Sequence, residues 1–106
     1  MTTQTTHDLK VWPKHYQGLV SGDKRFEIRR DDRGFQVGDV LHLQEWKPTI
    51  VDGVWNSRGE YTGRELHATV TYIIRGGEQL ASEQPYLNLH AGWVIMSIKP
   101  WLGELA

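Results

Sequence analysis

The chain contains no cysteine in its 106 residues. This absence excludes a disulfide scaffold and thiolate metal sites, and it removes one class of catalytic nucleophile. The chain also has no run of about 18 apolar residues and no signal-peptide pattern, so we expect a cytoplasmic protein without a membrane partner. A glycine-rich phosphate loop and the turn that carries a nucleophilic serine in hydrolases are missing as well.

An excess of basic residues is another feature that the chain lacks. Its 12 Lys and Arg residues face 13 Asp and Glu residues, which gives a formal net charge of -1. Proteins that bind long nucleic acids through their phosphates usually carry a basic excess, so the composition argues against a large nucleic-acid footprint. The five histidines have no metal-ligand spacing, and we therefore expect neither a metal nor a cofactor.

The apolar pattern predicts a mainly β fold in one domain over residues 7–106, after a disordered Thr- and Gln-rich stretch over residues 1–6. Period-two alternation predicts strands over residues 7–12, 24–30, 40–46 and 65–74. Residues 93–99 are apolar on both faces, which predicts a central strand. Short strands in this number favour a small, mostly antiparallel β-barrel with one or two short helices.

Local signals mark one helix between the first two predicted strands. Pro13 suits the first turn of a helix, and Gly22 suits its end. Between them, Tyr16, Leu19 and Val20 stand at the spacing of one apolar stripe. We expect this stripe to pack on the barrel.

Residues 47–63 form a connection that is long for so small a domain. Its centre predicts a hairpin, because Asp52-Gly53 favours the primed turns that join antiparallel strands. Long ordered connections often carry function, so we expect this one to select a ligand or partner. The alternative is a flap whose apolar residues cover the flank of the barrel.

The stretch from Gly22 to Arg29 concentrates charge on one predicted strand. Phe26 and Ile28 alternate with Glu27 and Arg29, which predicts the apolar pair inside and the charged pair outside. Such a strand builds either a polar ligand pocket or a solvated ion pair of little energetic weight. In the pocket interpretation, Glu27 accepts donors from a base edge and Arg29 contacts phosphate.

The charged stretch also carries a family resemblance. Gly22, Lys24, Glu27 and Arg29 stand at G-x-K-x-x-E-x-R spacing, which resembles the signature of the ASCH domains in the PUA-like superfamily. Other segments resemble the DUF3850 family, which is ASCH-like, occurs in bacteria and their phages, and is predicted to bind RNA. These segments are His7-x-Leu9-Lys10, Asp32-Arg33-x-Phe35-x-Val37-Gly38-Asp39, Tyr61-Thr62-Gly63-Arg64 and Tyr72-Ile73-Ile74-x-Gly76-Gly77. The resemblance covers most of the chain and implies a PUA-like β-barrel.

A related ASCH branch is an enzyme that hydrolyses N4-acetylcytidine. It uses the motif lysine, a threonine three residues later and a later glutamate. This chain has Lys24, but Glu27 takes the place of the threonine, and either Glu78 or Glu83 could be the later glutamate. A carboxylate at that place can act as a general base or hold Lys24, and the nucleophile must then be water. If the chain is an enzyme, the resemblance implies an amidohydrolase or ribonuclease of the ASCH type, with Lys24 and Glu27 as catalytic residues.

Three functions stay open at this point. The first is a module that binds RNA or a modified nucleoside; five basic and four acidic residues over 23–33 favour a short or single-stranded partner. The second is the hydrolase, and the third is a phage-related protein-interaction module that uses residues 47–63. The candidate ligand-binding residues are Lys10, Trp12, Lys24, Glu27, Arg29, Arg33, Trp46 and Trp55. For the tryptophans among them core packing is the alternative, and Trp93 is expected in the core.

Overall fold

The computed structural model describes residues 4–84, 88–101 and 103, without the side chains of residues 55–57 and 79. Five strands and two helices follow in the order β1 Thr6–Val11, α1 Pro13–Ser21, β2 Phe26–Arg30, β3 Val40–Val51, β4 Val54–Arg75, α2 Glu78–Glu83 and β5 Trp93–Pro100. The predicted mainly β fold with short helices is therefore confirmed. β1 begins at Thr6, inside the stretch that we expected to be disordered, and the Thr5 carbonyl accepts a hydrogen bond from Val40 N–H.

All five strands belong to one sheet, in the order β1-β3-β4-β5-β2. β1 and β3 are parallel, whereas the other three pairs are antiparallel, as expected for a mostly antiparallel fold. In the part of the chain that the structure describes, no backbone ladder joins the edge strands β1 and β2. The sheet is therefore an open one, and the closed barrel that we predicted is corrected to this extent.

Two arginine side chains, one in β2 and one just after it, donate hydrogen bonds to the open edge of β1. Arg29 Nη2 donates to the Lys10 carbonyl at 2.8 Å, and Arg33 Nη1 donates to the Asp8 carbonyl at 2.7 Å. We call this side-chain junction the seam. Because the two edge strands of a five-stranded sheet approach each other so closely, the sheet must curve strongly. The backbone carbonyls at the edge of β1 gain partners that a closed barrel would have supplied from β2.

Helix α1 packs on the core as predicted. Tyr16 and Leu19 are buried and Val20 is half-buried against the apolar cluster that the strands direct inward. Gly22 ends the helix in the left-handed conformation, with φ of 84°. This conformation favours glycine because a side chain would crowd the backbone there.

The hairpin predicted at the centre of residues 47–63 is present, and most of this connection is paired strand. β3 and β4 continue past the sheet as a two-stranded ribbon that ends in the predicted turn, where Asp52 and Gly53 have φ of 52° and 76°. The exposed fractions of Ile50, Val51 and Val54 are 54%, 51% and 65%. The ribbon therefore does not fold onto the flank of the sheet as a flap.

Candidate functional site

Strand β2 directs its charged side chains inward, which reverses our prediction for its two faces. Glu27 is only 2% exposed, whereas Phe26 and Ile28 are 44% and 49% exposed. Alternation identifies a strand but does not say which face lies inside. Here the inner face is the charged one because Glu27 finds two cationic partners there.

Glu27 is held between Lys24 and Arg29. Its Oε1 accepts a hydrogen bond from Lys24 Nζ at 2.7 Å, and its Oε2 accepts one from Arg29 Nε at 3.0 Å. The side chains of the lysine and arginine remain partly exposed, at 18% and 27%, while the carboxylate side chain is 3% exposed. Glu27 therefore orients two partly exposed cations, while its own carboxylate has little contact with solvent. This arrangement differs from the predicted contact of Glu27 with a base edge.

The end of helix α1 places Lys24 beside this carboxylate. The Lys24 backbone N–H donates to the Gly18 carbonyl at 3.0 Å, so the chain turns back on the helix just after its glycine cap. A Cβ atom at Gly18 would lie 3.2 Å from the Lys24 Cβ, which is a tight contact. Gly18 and Gly22 thus set the direction of Lys24, which alternation could not predict because the residue precedes the strand.

An open cleft of about 670 Å³ lies over these charges. Its lining combines the end of β1, the start of α1 and the stretch that leads through β2 with the first residue of β5. The lining residues are Lys10, Val11, Trp12, His15, Lys24, Phe26, Glu27, Ile28, Arg29, Arg30 and Trp93. Its volume is within the range of small-molecule sites, about 300–1,000 Å³.

The cleft is electropositive although the chain carries a net charge of -1. Four of its lining residues are Lys or Arg and one is acidic, which leaves an excess of three positive charges. Of the four acidic residues over 23–33 that balanced the count along the sequence, only Glu27 lines the cleft. Asp31 pairs with Arg75 and Asp23 accepts from the Ser21 hydroxyl. Folding therefore separates charges that the linear count had cancelled.

Three aromatic side chains form the apolar part of the cleft wall. Trp12, Phe26 and Trp93 are 43%, 44% and 36% exposed. The Arg30 guanidinium lies 5.5 Å from the Trp93 ring centroid, and Lys24 Nζ lies 5.6 Å from that of Phe26. Trp93 was predicted in the core, and this prediction is wrong because the residue starts β5 on the outward-facing side. β5 itself lies between β4 and β2, as expected for a central strand.

The structure brings five of the eight candidate residues to this cleft. Lys10, Trp12, Lys24, Glu27 and Arg29 line it, and their role in ligand binding stays a prediction.

The other three candidates lie elsewhere. Arg33 belongs to the seam, and Trp46 is buried beneath Lys10, whose Nζ lies 4.8 Å from its ring centroid. Core packing is therefore the better description of Trp46. The side chain of Trp55 is outside the described part of the structure.

Comparison with known proteins identifies the family. Residues 6–98 match the family described as "Domain of unknown function (DUF3850)". The chain belongs to this family. It is also similar to the "Uncharacterized 12.9 kDa protein in GpA 3'region" of Escherichia phage P2, with 33% identity over 100 residues that cover 94% of this chain and 78% of that protein.

Another buried carboxylate of this DUF3850 chain was not predicted from the sequence. Glu45 accepts a hydrogen bond from the Thr62 hydroxyl at 2.7 Å and lies 3.7 Å from Arg64 Nη1. The Arg64 guanidinium in turn lies 4.9 Å from the ring centroid of Tyr16 on α1. The Tyr61-Thr62-Gly63-Arg64 segment was the available signal, and the structure shows that it ties the base of the ribbon to the helix.

A cluster on the solvent-facing side of β1, β3 and β4 was also not predicted from the sequence. His42 Nδ1 and Nε2 each lie 2.9 Å from a carboxylate oxygen, of Asp8 and of Glu65 respectively. Its ring stacks on that of His67 at 4.6 Å between centroids. Burial lowers the pKa of His42, but the hydrogen bonds and charges of Asp8 and Glu65 outweigh this effect and raise the pKa above its ordinary value of 6.5.

Within the described residues, no three His, Asp or Glu side chains come together as metal ligands. None of the described helices is long and apolar enough to cross a bilayer.

Proposed function

We propose that this DUF3850 protein binds one nucleotide, free or at the end of an RNA strand, in the cleft between β1 and β2. The observation that carries the proposal is the composition of the cleft, where three exposed aromatic rings stand beside an excess of three positive charges. Aromatic faces stack on any base, and Lys and Arg side chains bind phosphate oxygens. A volume of about 670 Å³ accommodates a ligand of this size.

The ion pairs of Glu27 favour binding over catalysis at this site. Both carboxylate oxygens already accept charge-assisted hydrogen bonds, and the side chain is 3% exposed. A general base must reach the proton that it abstracts, within hydrogen-bond distance of the substrate or of one water. Lys24 is likewise held as an ammonium donor, which suits the binding of an anion better than nucleophilic attack.

Calorimetric titration of the purified protein with uridine, cytidine and N4-acetylcytidine and with their 5′-monophosphates tests the proposal. We expect the monophosphates to bind and the Lys24→Ala variant to lose about 10- to 150-fold in affinity, the usual effect of one hydrogen bond to a charged group. Lys47→Ala is the matched control, since Lys47 is exposed on β3 and does not line the cleft.

Three results would contradict the proposal. The first is the absence of binding by all nucleosides and nucleotides, and the second is equal losses in the two lysine variants. The third is turnover of N4-acetylcytidine or of RNA that disappears in Lys24→Ala, which would establish the hydrolase instead.

A further inference from the structure

The outer face of β2, β5 and β4 is apolar and carries more than one aromatic ring. The strand registers place its side chains in three rows, and we call this surface the outer face. The rows are Phe26, Ser97 and Tyr72, then Ile28, Ile95 and Ile74, then Arg30 and Trp93.

The rings at the margins of the outer face are open to solvent. Tyr72 is 64% exposed, which makes it one of the most exposed large apolar side chains described. Ile74 and Ile95, between the rings, are half-buried. A contiguous exposed apolar surface of this kind marks an interaction site more often than a feature of an isolated monomer.

The outer face is continuous with the cleft. Phe26, Ile28 and Trp93 belong to both, because β2 and the start of β5 form the lip over which the cleft opens. A ligand longer than one nucleotide that is seated in the cleft would therefore pass directly onto this face.

The charge of the outer face selects the kind of ligand. β2 and β5 direct no acidic side chain outward, whereas Arg30 and Lys99 are exposed on this side. The Arg30 guanidinium packs 5.5 Å from the Trp93 ring centroid. Rings flanked by cations are the combination that binds single-stranded nucleic acid, since the bases stack on the rings and the cations follow the backbone.

The spacing of the rings fits a short strand. Phe26 and Tyr72 lie in one row on strands that are two apart, which places their Cα atoms about 10 Å from each other. The row of Trp93 lies four residues further along the sheet, or about 13 Å. The rings thus span a distance suited to two or three stacked bases.

We infer that the outer face is a stacking surface for single-stranded nucleic acid whose end nucleotide occupies the cleft, an inference that rests on the proposed function. The ligand is then a strand of three to four nucleotides in contact with the protein, and a free nucleotide fills only part of the site. Double-stranded ligands are excluded, because their base faces are already stacked and cannot reach the rings.

Calorimetry with uridine, cytidine and adenosine 5′-monophosphates and with the matching RNA and DNA homohexamers tests the inference. The wild-type protein should bind at least one hexamer about tenfold or more tightly than its monophosphate, since further bases stack. Tyr72→Ala should weaken hexamer binding about 5- to 150-fold and leave monophosphate binding unchanged, because Tyr72 lies outside the cleft. Tyr72→Phe keeps the ring and should bind like wild type.

The outcomes separate the inference from the proposed function. Monophosphate binding with no gain in the hexamers, or a Tyr72→Ala variant that binds hexamers normally, overturns the inference alone. Absence of binding by both kinds of ligand overturns both. Self-association of the wild-type protein in sedimentation velocity that Tyr72→Ala abolishes also overturns the inference, since the outer face would then be an interface between two copies.

Discussion

At the scale of single residues, Glu27 shows how an acidic side chain can lie in the wall of an electropositive cleft. A carboxylate in the wall of a positively charged cleft would repel the ligand if it were exposed. Glu27 is 2% exposed and points its charge at Lys24 and Arg29, so its main effect is to fix the positions of these two cations. Holding them in advance lowers the ordering cost that binding must otherwise meet.

The Glu27→Gln substitution should lower the free energy of unfolding by about 1–3 kcal/mol. The amide keeps the shape but accepts weaker hydrogen bonds, and it leaves Lys24 and Arg29 without their counter-ion. The lower part of the range allows for the partial exposure of both cations, whose side chains are 18% and 27% exposed. Urea denaturation gives the comparison. Glu60→Gln on the exposed ribbon is the control and should change stability by less than about 0.5 kcal/mol; equal effects would contradict the role assigned to Glu27.

His42 should make stability depend on pH. Its folded pKa is raised above 6.5 by Asp8 and Glu65 despite the opposing effect of burial, and stacking on His67 brings in one more titratable ring. A group with a raised folded pKa contributes stability that is fully present below the unfolded pKa and is lost as pH rises through the folded pKa. The wild-type advantage over His42→Gln should therefore be greatest below about pH 6.5 and shrink in alkaline solution.

Unfolding curves at several pH values measure this advantage, and NMR titration of the His42 ring reports its pKa directly. Asp8→Asn removes one carboxylate and should lower that pKa. A wild-type value at or below 6.5 would show that the two carboxylates do not hold the imidazolium.

At the scale of elements, sequence patterns located segments better than they oriented them. Helix α1 was predicted with its correct ends because Pro13 and Gly22 act locally, within one turn. The faces of β2 were predicted the wrong way round, since the inward direction of Glu27 depends on its pairing with Lys24, which precedes the strand, as well as with Arg29. No local pattern states which face the rest of the sheet will cover.

The sequence predicted the turn of the ribbon but not the length of its two strands. Asp52-Gly53 predicts the hairpin, yet Pro48 and Gly59 interrupt the alternation that would have shown β3 and β4 as continuous strands. In the structure these two residues face each other, and Trp46 packs so closely on Gly59 that a Cβ atom there would lie 2.5 Å from the indole. Pro48 and Gly59, which the sequence pattern places as strand interruptions, are thus accommodated inside the ribbon because Trp46 packs on Gly59.

Shortening the ribbon tests whether it selects the ligand, as we expected from its position in the sequence. Lys10 lines the cleft and also lies over Trp46 and Tyr61 at the base of the ribbon, at 4.8 and 6.0 Å from their ring centroids. Replacing residues 49–57 by Gly-Ser should leave the protein folded and lower nucleotide affinity about tenfold, because only the surroundings of Lys10 change. Circular dichroism checks that the protein stays folded, and calorimetry measures the affinity. Unchanged affinity would exclude the ribbon as the selector.

At the scale of the whole molecule, the rigidity of the cleft depends on the seam. β1 and β2 carry the two sides of the cleft, and between these edges the structure describes arginine side chains in place of a backbone ladder. The net charge of -1 does not reveal this arrangement, and neither does the alternation of any strand. It follows from where the two ends of one sheet meet, which is a property of the complete fold.

The Arg33→Ala substitution should loosen the seam without touching the cleft. We expect the free energy of unfolding to fall by about 0.5–1 kcal/mol, the lower range for one hydrogen bond, because the side chain is 43% exposed. In the variant, the amides of β1 that bond to β3 should show a larger increase in their exchange rate with solvent, relative to wild type, than the amides of β4. Hydrogen exchange followed by mass spectrometry measures this difference. Arg25→Ala, which removes another exposed arginine, should leave the exchange of β1 unchanged; equal acceleration in both variants would contradict the bridging role of Arg33.

The strand order has a consequence for the synthesis of the chain. Among the five described strands, β1 and β2 leave the ribosome first, but β1 pairs with β3, and β2 pairs with β5, the last of the five to be made. A nascent chain that stops before Trp93 can already form the β3–β4 hairpin and add β1 to it, whereas β2 has no sheet neighbour. The two sides of the cleft therefore meet only when β5 has emerged, and we expect a growing chain to have no affinity for the ligand until that moment.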